Sequence, residues 1–277
     1  MPEPASIAWA LAHARAIGVD RLDAQVLIAR QLGRSRAWLL AHDDAPLADS
    51  AALLELLSRR AAGEPLAYLI GEREFHGLLL HVTPDVLVPR PDTETLVDWA
   101  LELLGVIDTP TAIDLGTGSG AIALALKHAC PRAQVHASDA SAAALVVARG
   151  NGERLGLRIA WHEGDWWQAL DPALEFDLAL ANPPYIAAGD PHLAALRHEP
   201  VSALVAQKAG MADIERIVAG ASARLKPGAW LLIEHGFDQA ESVRERLLLA
   251  GFSAVMTRRD LAGQPRASGG KLAANRA

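Results

Sequence analysis

The sequence predicts an α/β protein in which a doubly wound, Rossmann-like domain follows a small all-helical domain and a β-hairpin connector. Strands and helices alternate from residue 89 onward, and this alternation favours an open parallel sheet with helices on both faces. Residues 1–72 carry apolar residues at helical spacing, whereas residues 73–88 hold short β-prone runs broken by glycine and proline. We therefore expect a helical bundle over residues 1–72, a hairpin connector over residues 73–88 and the α/β domain over residues 89–277.

The N-terminal domain shows four helical patterns, which are separated by glycines and an Asp-Asp-Ala-Pro turn. They cover residues 5–17, 21–32, 35–41 and 50–62. Asp20 and Ser50 are the predicted N-caps of the second and fourth helices, because a short polar side chain there accepts from a free backbone N–H. No motif in this domain indicates a chemical reaction.

The α/β domain begins with a helix near Asp92 or Thr93. Strands are predicted over residues 111–115, 133–138, 158–162, 176–181, 229–234 and 252–257, and helices over residues 119–129, 141–155, 211–225 and 238–250. Ligands of such sheets bind outside the carboxyl ends of the strands, so the residues after each strand form the candidate site. The tail "GQPRASGGKLAANRA" is polar and contains glycine, so we assign no strand to it and expect its end to be mobile.

The composition of the chain indicates its cellular compartment and excludes several classes of protein. The chain has 277 residues and one cysteine, Cys130, and no apolar run approaches the ~18–20 residues that a membrane span needs. A single cysteine excludes an intramolecular disulfide, the N-terminus lacks the features of a signal peptide, and no His-Glu-x-x-His pattern marks a metal site. We expect a cytoplasmic protein without a metal or a membrane partner.

The stretch "TAIDLGTGSGAIALALK", residues 111–127, combines a strand, a tight glycine turn and a helix. Gly116, Gly118 and Gly120 allow the backbone to bend sharply and to approach a ligand at the helix N-terminus. Two alternatives are an ordinary connection that needs positive φ and a dinucleotide site. Against the dinucleotide site, the spacing is Gly-x-Gly-x-Gly, and Asp114 would repel a pyrophosphate at a cost of roughly 4 kcal/mol per contact. A carboxylate there suits a cationic ligand such as S-adenosylmethionine.

Two further strands end in residues that suit a nucleoside. Asp139 follows the strand in "QVHASD", where its carboxylate can accept hydrogen bonds from both ribose hydroxyls. Trp166 follows Asp165 in "EGDWWQAL", where an indole face can cover adenine. Core packing is the alternative for this pair of tryptophans, and we expect Trp166 to face the ligand and Trp167 to face the core.

The fourth strand ends in a rigid turn, Asn182-Pro183-Pro184-Tyr185. Neither proline can donate to a sheet, and the turn is ordered before any ligand binds. The Asn182 side-chain oxygen and the Pro183 carbonyl then form two fixed acceptors for an NH2 group, while Tyr185 packs on the planar group that carries it. An amide nitrogen held beside a sulfonium methyl group is methylated by positioning and electrostatics, without a strong base. The alternative is a turn that only ends a core strand.

These motifs resemble those of amino-methyltransferases that modify planar NH2 groups, and a fuller set resembles one family. Nearly the whole chain is similar to the HemK/PrmC-type peptide chain release factor glutamine methyltransferases, in the stretches "AGEPLAYLIGEREFHGL", "VPRPDTETLV", "DLGTGSGAIALAL", "ANPPYI", "HEPVSALVA" and "LIEHG". The resemblance implies an S-adenosylmethionine-dependent methyltransferase domain that converts the glutamine in the Gly-Gly-Gln loop of release factors to N5-methylglutamine. It makes release factors the expected partners. We expect the helical domain to recognise this protein substrate, because it offers surface but no chemical motif.

The resemblance also implies which residues form the site. It places the cofactor on Gly116, Thr117, Gly118, Ser119, Gly120, Asp139, Trp166 and Asn182. It places the substrate glutamine on Asn182, Pro183, Pro184 and Tyr185, with Asn182, Pro183 and Tyr185 as the catalytic residues. Arg90, Glu199 and Pro200 line the site in this interpretation, and a structural cap and a turn are the alternatives for them. The tail departs from the family's ending, in which an apolar final strand follows "RDLAGQPR", so the last strand of the sheet stays unassigned.

Two other functions remain open. A nucleic-acid adenine or cytosine amino-methyltransferase would use the same turn. However, the net charge is −7, divided as −3 over residues 1–88 and −4 over residues 89–277, and no basic stripe indicates stable nucleic-acid binding. A nucleotide-binding dehydrogenase or regulatory module would use the glycine loop but has no use for the turn.

Overall fold

The computed structural model describes residues 6–47 and 49–274. The chain divides into two compact units, Met1–Glu72 and Arg73–Ala277, and each has its own hydrophobic core. Residues 275–277, where the sequence predicts a mobile end, lie outside the described residues. Within the described part of the chain, no helix is both long enough and apolar enough to cross a membrane.

The first unit consists of short helices packed around leucine, isoleucine and alanine side chains. Its helices are α1 Ile7–Ala16, α2 Arg21–Leu32, α3 Arg36–Ala41, α4 Ser50–Ala61 and α5 Leu66–Ile70. The Asp20 N-cap is confirmed, since its carboxylate accepts from the Leu22 N–H at 2.7 Å. The Ser50 N-cap is wrong, because Asp49 accepts from the Ala52 N–H at 3.0 Å and Ser50 is the first helical residue. The unpredicted α5 has only five residues, too few to show a helical pattern.

In the sequence, a hairpin of β1 Glu72–Phe75 and β2 Leu78–His81 leads into the second unit. The longer helices there are α6 Glu94–Leu104, α7 Ala121–Ala129, α8 Ala142–Leu155, α9 Ala212–Ala221 and α10 Ala240–Leu249. The strands are β3 Thr111–Leu115, β4 Gln134–Asp139, β5 Ala160–Glu163, β6 Phe176–Ala181, β7 Ile186–Ala187, β8 Val205–Ala206, β9 Leu225–Glu234, β10 Phe252–Arg259 and β11 Pro265–Leu272. Short 3-10 helices cover Pro91–Thr93, Trp166–Ala169, Pro191–Leu196 and Val201–Ala203.

Seven strands form one sheet in the order β10-β11-β9-β6-β3-β4-β5. The strands run parallel except β11, which is antiparallel to both of its neighbours. Apolar side chains of α6 and α7 cover one face, and those of α9 and α10 cover the other. The predicted doubly wound α/β fold is therefore confirmed, and the carboxyl ends of β3, β4 and β6 meet at one edge of the sheet.

The strand β11 corrects the sequence analysis, which assigned no strand to the tail. Its register places Gly269 opposite Leu232 and Gly270 opposite Leu231 on β9. A Cβ on Gly269 would lie 2.5 Å from Leu232 Cδ2, 2.8 Å from the Leu231 carbonyl oxygen and 2.9 Å from Trp99 Cη2. Glycine is needed because neighbouring groups already fill the space. The same glycine lowers the intrinsic β-propensity of this segment, so the sequence alone does not reveal the strand.

Gly269→Ala is expected to lower the free energy of unfolding by roughly 1–3 kcal/mol, because the added methyl group overpacks the core. Gly150→Ala is the matched control, since Gly150 lies within α8 and no atom lies within 4 Å of its added Cβ. That change should raise the free energy of unfolding by roughly 0.5–1 kcal/mol. Urea denaturation measures both values, and a neutral effect of Gly269→Ala would contradict close packing around β11.

Candidate active site

The glycine loop joins β3 to α7 at the carboxyl edge of the sheet. The backbone N–H groups of Gly116 and Thr117 both donate to the Ser138 carbonyl on β4, at 2.9 Å each. Gly116, Gly118 and Gly120 have φ values of 74°, 55° and 85°, which lie in the left-handed region. The three glycines therefore allow the chain to turn beside β4 and to start α7 directly after the strand.

Asp139 ends β4 beside this loop. Its carboxylate accepts from the Gly118 N–H at 2.8 Å and from the Ser141 N–H at 2.9 Å. Burial raises the pKa of Asp139, and its hydrogen bonds from backbone N–H groups oppose that increase. Each carboxylate oxygen has lone pairs beyond the one used here, so Asp139 has the capacity to accept hydrogen bonds from ribose hydroxyls.

Asp139→Ala is expected to weaken S-adenosylmethionine binding by roughly 1.5–3 kcal/mol, the range for hydrogen bonds to a charged group. Isothermal titration calorimetry measures the change. Asp171→Ala serves as the control, because Asp171 also accepts a backbone N–H, from Ala173 at 2.9 Å, but is exposed and outside the cavity described below. An unchanged dissociation constant for Asp139→Ala would place the ribose elsewhere.

The two adjacent tryptophans point to different surroundings. Trp167 is buried, and its Nε1–H donates to the Ile217 carbonyl at 2.8 Å. Trp166 lines the cavity, and its Nε1–H donates to Asp213 Oδ1 at 3.3 Å. A Cβ on Gly116 would lie 2.8 Å from Trp166 Cζ3, so glycine makes room for the indole against the loop. Trp166 also has a φ of 45°, a strained conformation of the kind that accumulates at functional sites.

Asp114 is fully buried beneath the loop, which corrects its expected position beside a cationic ligand. Its Oδ2 accepts from the Thr117 hydroxyl at 2.6 Å and from the Ala123 N–H at 3.3 Å. Its Oδ1 has no hydrogen-bond partner among the described residues. The side chain turns inward because the loop and the start of α7 provide these donors, and burial raises the pKa of Asp114 to about 7.

The pH dependence of stability tests this burial. The pKa of Asp114 is about 7 in the folded chain against 3.8 for an unperturbed group, so between these values the folded chain binds more protons and stability falls as pH rises. The free energy of unfolding of Asp114→Asn does not fall in this way, because an amide does not titrate. At roughly 1.4 kcal/mol per pKa unit, its free energy of unfolding relative to wild type should increase by roughly 2–3 kcal/mol from pH 5 to pH 8. Thermal or urea unfolding of both proteins at pH 5 and pH 8 measures this difference in free energy. Any effect of the amide on stability that does not depend on pH cancels in the comparison. A difference that does not change with pH would contradict the raised pKa.

The Asn182 turn follows β6 at the same edge. The Asn182 Nδ2–H donates to the Thr93 hydroxyl oxygen at 3.2 Å. Asn182 and Pro184 line the cavity, whereas Pro183 is buried. The side-chain amide and one proline ring therefore form part of the cavity wall, and the other proline anchors the turn.

Tyr185 is held by contacts behind the turn. Its hydroxyl donates to Glu234 Oε1 at 3.3 Å, and its carbonyl accepts from Gln239 Nε2 at 3.0 Å. A Cβ on Gly210 would lie 2.0 Å from the Tyr185 carbonyl oxygen, so only glycine permits this close approach. Burial is the main cause that raises the pKa of Tyr185 far above its usual range. The phenol is therefore neutral and acts as a hydrogen-bond donor.

These elements surround a cavity of 470 Å³ at the carboxyl edge. The predicted site residues that line it are Gly116, Thr117, Gly118, Ser119, Asp139, Trp166, Asn182 and Pro184. Three predicted residues, Gly120, Pro183 and Tyr185, are outside this lining. The structure thus brings the ends of three predicted strands and one strand-ending turn to a single cavity, of a volume typical for small-molecule sites.

The charged side chains at the cavity carry an excess of negative charge. Four carboxylates and two guanidinium groups line it: Asp85, Asp139, Asp165, Asp213, Arg90 and Arg216. Arg216 forms ion pairs with Asp165 and Asp213. This excess of negative charge favours a ligand with positive charge. The sequence analysis ascribed that preference to Asp114, whereas in the structure it comes from the carboxylates that line the cavity.

Arg90 and Pro200 line the cavity, and Glu199 lies buried beside Arg90. The Glu199 carboxylate accepts from the Arg90 guanidinium at 2.5 Å and from the Val88 N–H at 3.1 Å. Glu199 therefore fixes Arg90 and the segment before it, and it does not itself reach the cavity.

Sequence analysis did not assign to the site several polar residues of the lining, among them Thr93, Asp213 and Arg216. Thr93 lies within the stretch "VPRPDTETLV", which carries part of the family resemblance and could have indicated a place in the site. Asp213 and Arg216 lie on α9, and nothing in the sequence indicates that this helix presents them to the cavity.

Methyltransferases are among the solved structures with a similar fold. A methyltransferase from Pyrococcus furiosus matches with a TM-score of 0.54 and 19% identity, over 71% of this chain and 90% of that chain. A 16S rRNA methyltransferase from T. thermophilus, in complex with AdoMet and guanosine, matches with a TM-score of 0.55 and 20% identity, over 73% of this chain and 49% of that chain. These likenesses show the fold of methyltransferases, and the match to the methyltransferase small domain and to the relatives described below confirms the predicted enzyme class and its cofactor, S-adenosylmethionine.

Sequence comparison specifies the family. The model of the PrmC N-terminal domain matches residues 7–71, and the model of the methyltransferase small domain matches residues 97–207. A release factor glutamine methyltransferase of Bordetella pertussis is 53% identical over 92% of this chain and 96% of the relative. Relatives of the same name from Burkholderia pseudomallei and Escherichia coli are 50% and 42% identical, over 98% and 95% of this chain and 98% and 96% of the relatives. The chain belongs to the release factor glutamine methyltransferase family, and the resemblance seen in the sequence is confirmed.

Proposed function

We propose that this protein transfers a methyl group from S-adenosylmethionine to the side-chain amide nitrogen of the glutamine in the Gly-Gly-Gln loop of peptide chain release factors. The product is N5-methylglutamine. The observation that carries the proposal is the Asn182 turn at a cavity whose other walls suit a nucleoside, in a chain that matches release factor glutamine methyltransferases over nearly its full length.

The residues around the cavity suit S-adenosylmethionine. Asp139 has acceptor capacity for ribose hydroxyls, Trp166 offers an indole face for adenine, and the loop from Gly116 to Gly120 allows close approach of the backbone. The excess of carboxylates suits the positive charges of the ammonium and sulfonium groups. When bound, S-adenosylmethionine supplies a methyl group activated by the sulfonium.

Positioning is the main contribution of the turn. An amide nitrogen is a poor nucleophile, because its lone pair is delocalised into the carbonyl. In our proposal Asn182 Oδ1 and the Pro183 carbonyl accept both hydrogens of the glutamine NH2 group and aim its nitrogen at the methyl carbon. Pro184 and Tyr185 complete the surface on which the planar amide packs. The nitrogen gains the methyl group as the carbon–sulfur bond of the sulfonium breaks and a neutral thioether leaves. The nitrogen then releases one proton to solvent, so no strong base is required.

The proposal assigns a second role to the helical unit. Residues 1–72 have a core of their own but no chemical motif, and residues 7–71 match the model of the PrmC N-terminal domain. We assign to them the recognition of intact release factor in the cytoplasm. Stable nucleic-acid binding is not part of the proposal, because the chain carries a net charge of −7 without a basic stripe.

Transfer of radiolabelled methyl groups tests the proposal directly. The acceptors are intact release factor, the same factor with its loop glutamine changed to alanine, DNA and RNA. Label is expected on intact release factor only. Label that persists on the altered factor would refute the glutamine assignment, and label on nucleic acid alone would establish an adenine or cytosine amino-methyltransferase instead.

A further inference from the structure

Asn151 is a fully buried asparagine within α8, and it is outside the lining of the cavity. Its place is unfavourable in two respects. Asparagine is a poor helix former in a helix interior, and a polar side chain loses its hydrogen bonds to water when it is buried. Contacts of the side chain must offset both effects, so its partners indicate what it does.

The side-chain amide of Asn151 uses its full hydrogen-bonding capacity. Its Oδ1 accepts from the His81 N–H at 2.7 Å and from Arg154 Nη2 at 3.2 Å. Its Nδ2 donates to the His81 carbonyl and to the Ser119 carbonyl, at 2.9 Å each. An amide has two hydrogens to donate and an oxygen with two lone pairs, so these four contacts satisfy it. Aspartate and leucine have a similar size, but neither offers the two donors.

The partners of Asn151 belong to two different segments. His81 ends β2, the second strand of the hairpin, and Ser119 lies in the glycine loop. Because a single nitrogen lies 2.9 Å from both carbonyl oxygens, the Asn151 amide fixes the distance between the hairpin and the loop. Arg154 supports the same junction, since its Nη2 also donates to the Leu79 carbonyl on β2.

The segment that follows His81 forms one wall of the cavity. Residues 82–90 are described throughout and form neither a helix nor a strand, so contacts at the two ends of the segment fix its position. Near its far end the Val88 N–H donates to Glu199 at 3.1 Å, and Asn151 binds the residue directly before it. The residues of the segment that line the cavity are Asp85, Val86, Leu87, Pro89 and Arg90.

We propose that Asn151 is a positioning residue that fixes residues 82–90 relative to the glycine loop, so that two walls of the cavity are in place before S-adenosylmethionine binds. Ser119 itself lines the cavity, whereas Asn151 acts on it from behind. The inference concerns binding of the cofactor. It therefore goes beyond the proposed function and does not depend on which acceptor is methylated.

A preformed cavity affects cofactor affinity more than turnover. If residues 82–90 can move away from the loop, only a fraction of the molecules is ready to bind, and the apparent dissociation constant rises by the inverse of that fraction. Once the cofactor is bound, the segment is back in place, and the Asn182 turn is unchanged. Loss of the Asn151 contacts should therefore raise the dissociation constant without a matching fall in kcat.

Asn151→Asp tests the inference, because it keeps the size and the acceptor oxygens of the side chain. It loses both donors and places a charge beside two carbonyl oxygens. We expect the dissociation constant for S-adenosylmethionine, measured by isothermal titration calorimetry, to rise roughly 10- to 30-fold. With saturating cofactor, kcat should stay within about threefold of wild type. Circular dichroism and urea denaturation show whether the variant is folded.

Asp177→Ala is the matched control. Asp177 also joins two segments, because it accepts from the Thr111 N–H and from Lys226 Nζ at 2.8 Å each. These contacts lie at the amino ends of β3 and β6, at the edge of the sheet opposite the cavity. The control should lose stability, but its dissociation constant for S-adenosylmethionine should stay within about twofold of wild type, because distant sites act independently.

Arg154→Ala decides the question if Asn151→Asp does not fold. Arg154 is exposed, so its replacement does not open the core. The change removes one contact to Asn151 Oδ1 and one to the Leu79 carbonyl. We expect the dissociation constant for S-adenosylmethionine to rise about two- to fivefold.

Three results would overturn the inference. The first is an unchanged dissociation constant in folded Asn151→Asp or, if that variant is unfolded, in Arg154→Ala. The second is a fall in kcat as large as the loss of affinity, because the damage would then extend to the Asn182 turn. The third is an equal loss of affinity in Asp177→Ala, because any loss of stability would then loosen the cavity. If wild type binds S-adenosylmethionine but does not methylate release factor, the proposed function fails, and calorimetry still decides this inference.

Discussion

Asn182→Ala should turn over release factor glutamine roughly 100 to 1,000 times more slowly than wild type at saturating substrates. The expected loss corresponds to one preorganised polar contact to the reacting group, about 2.7–4 kcal/mol. Cofactor affinity should change far less, because Gly116, Asp139 and Trp166 line the cavity from other elements. Single-turnover kinetics measure the rate, and calorimetry measures the affinity.

Asn182→Asp is the more specific variant of this experiment. It keeps an acceptor oxygen but replaces the amide donor with a charge, so we expect partial activity above that of Asn182→Ala. Circular dichroism must show that both variants are folded, since the turn also ends the buried strand β6. An alanine variant that turns over at the wild-type rate would reduce Asn182 to a strand terminator and refute the positioning mechanism.

Deletion of residues 1–72 should abolish methylation of intact release factor and leave S-adenosylmethionine binding within about twofold of wild type. The second unit contains both sheet-facing cores and every residue that lines the cavity. It therefore retains what cofactor binding requires, whereas protein recognition is assigned to the deleted helices. Calorimetry measures S-adenosylmethionine binding by the shortened chain, and retained binding shows that this chain is folded. Undiminished methylation by the shortened chain would exclude a role of the helical unit in recognition.

Much of the fold could be predicted because its central strands are rich in apolar residues. The strands β3 and β6 lie at the predicted positions, since both are buried within a parallel sheet and most of their residues are apolar. The strand β11 was missed for the opposite reason. Leu231, Leu232 and Trp99 leave no room for a side chain at Gly269. Phe252 and Val255 leave none at Gly270, and no local pattern in the sequence indicates either requirement.

The candidate site could be predicted where a residue directly follows a strand. Asp139 and Asn182 each end or follow a strand, and in the structure both line the cavity. The direction in which a side chain points was harder to predict, as Asp114 shows, because it turns inward and not toward the ligand. Contacts between distant segments could not be predicted at all. Thr93, for example, precedes its partner Asn182 by 89 residues, and no motif links the two.

The position of β11 has a consequence for how the chain is made. It follows all the other described strands in the sequence, yet it lies between β9 and β10 and pairs with one edge of each. During synthesis these two strands therefore have unpaired edges until residues 265–272 emerge, and such edges are prone to pair with other chains. Closure of the sheet also joins segments far apart in sequence, which slows folding. Folding of the second unit is thus completed only after residues 265–272 have been translated.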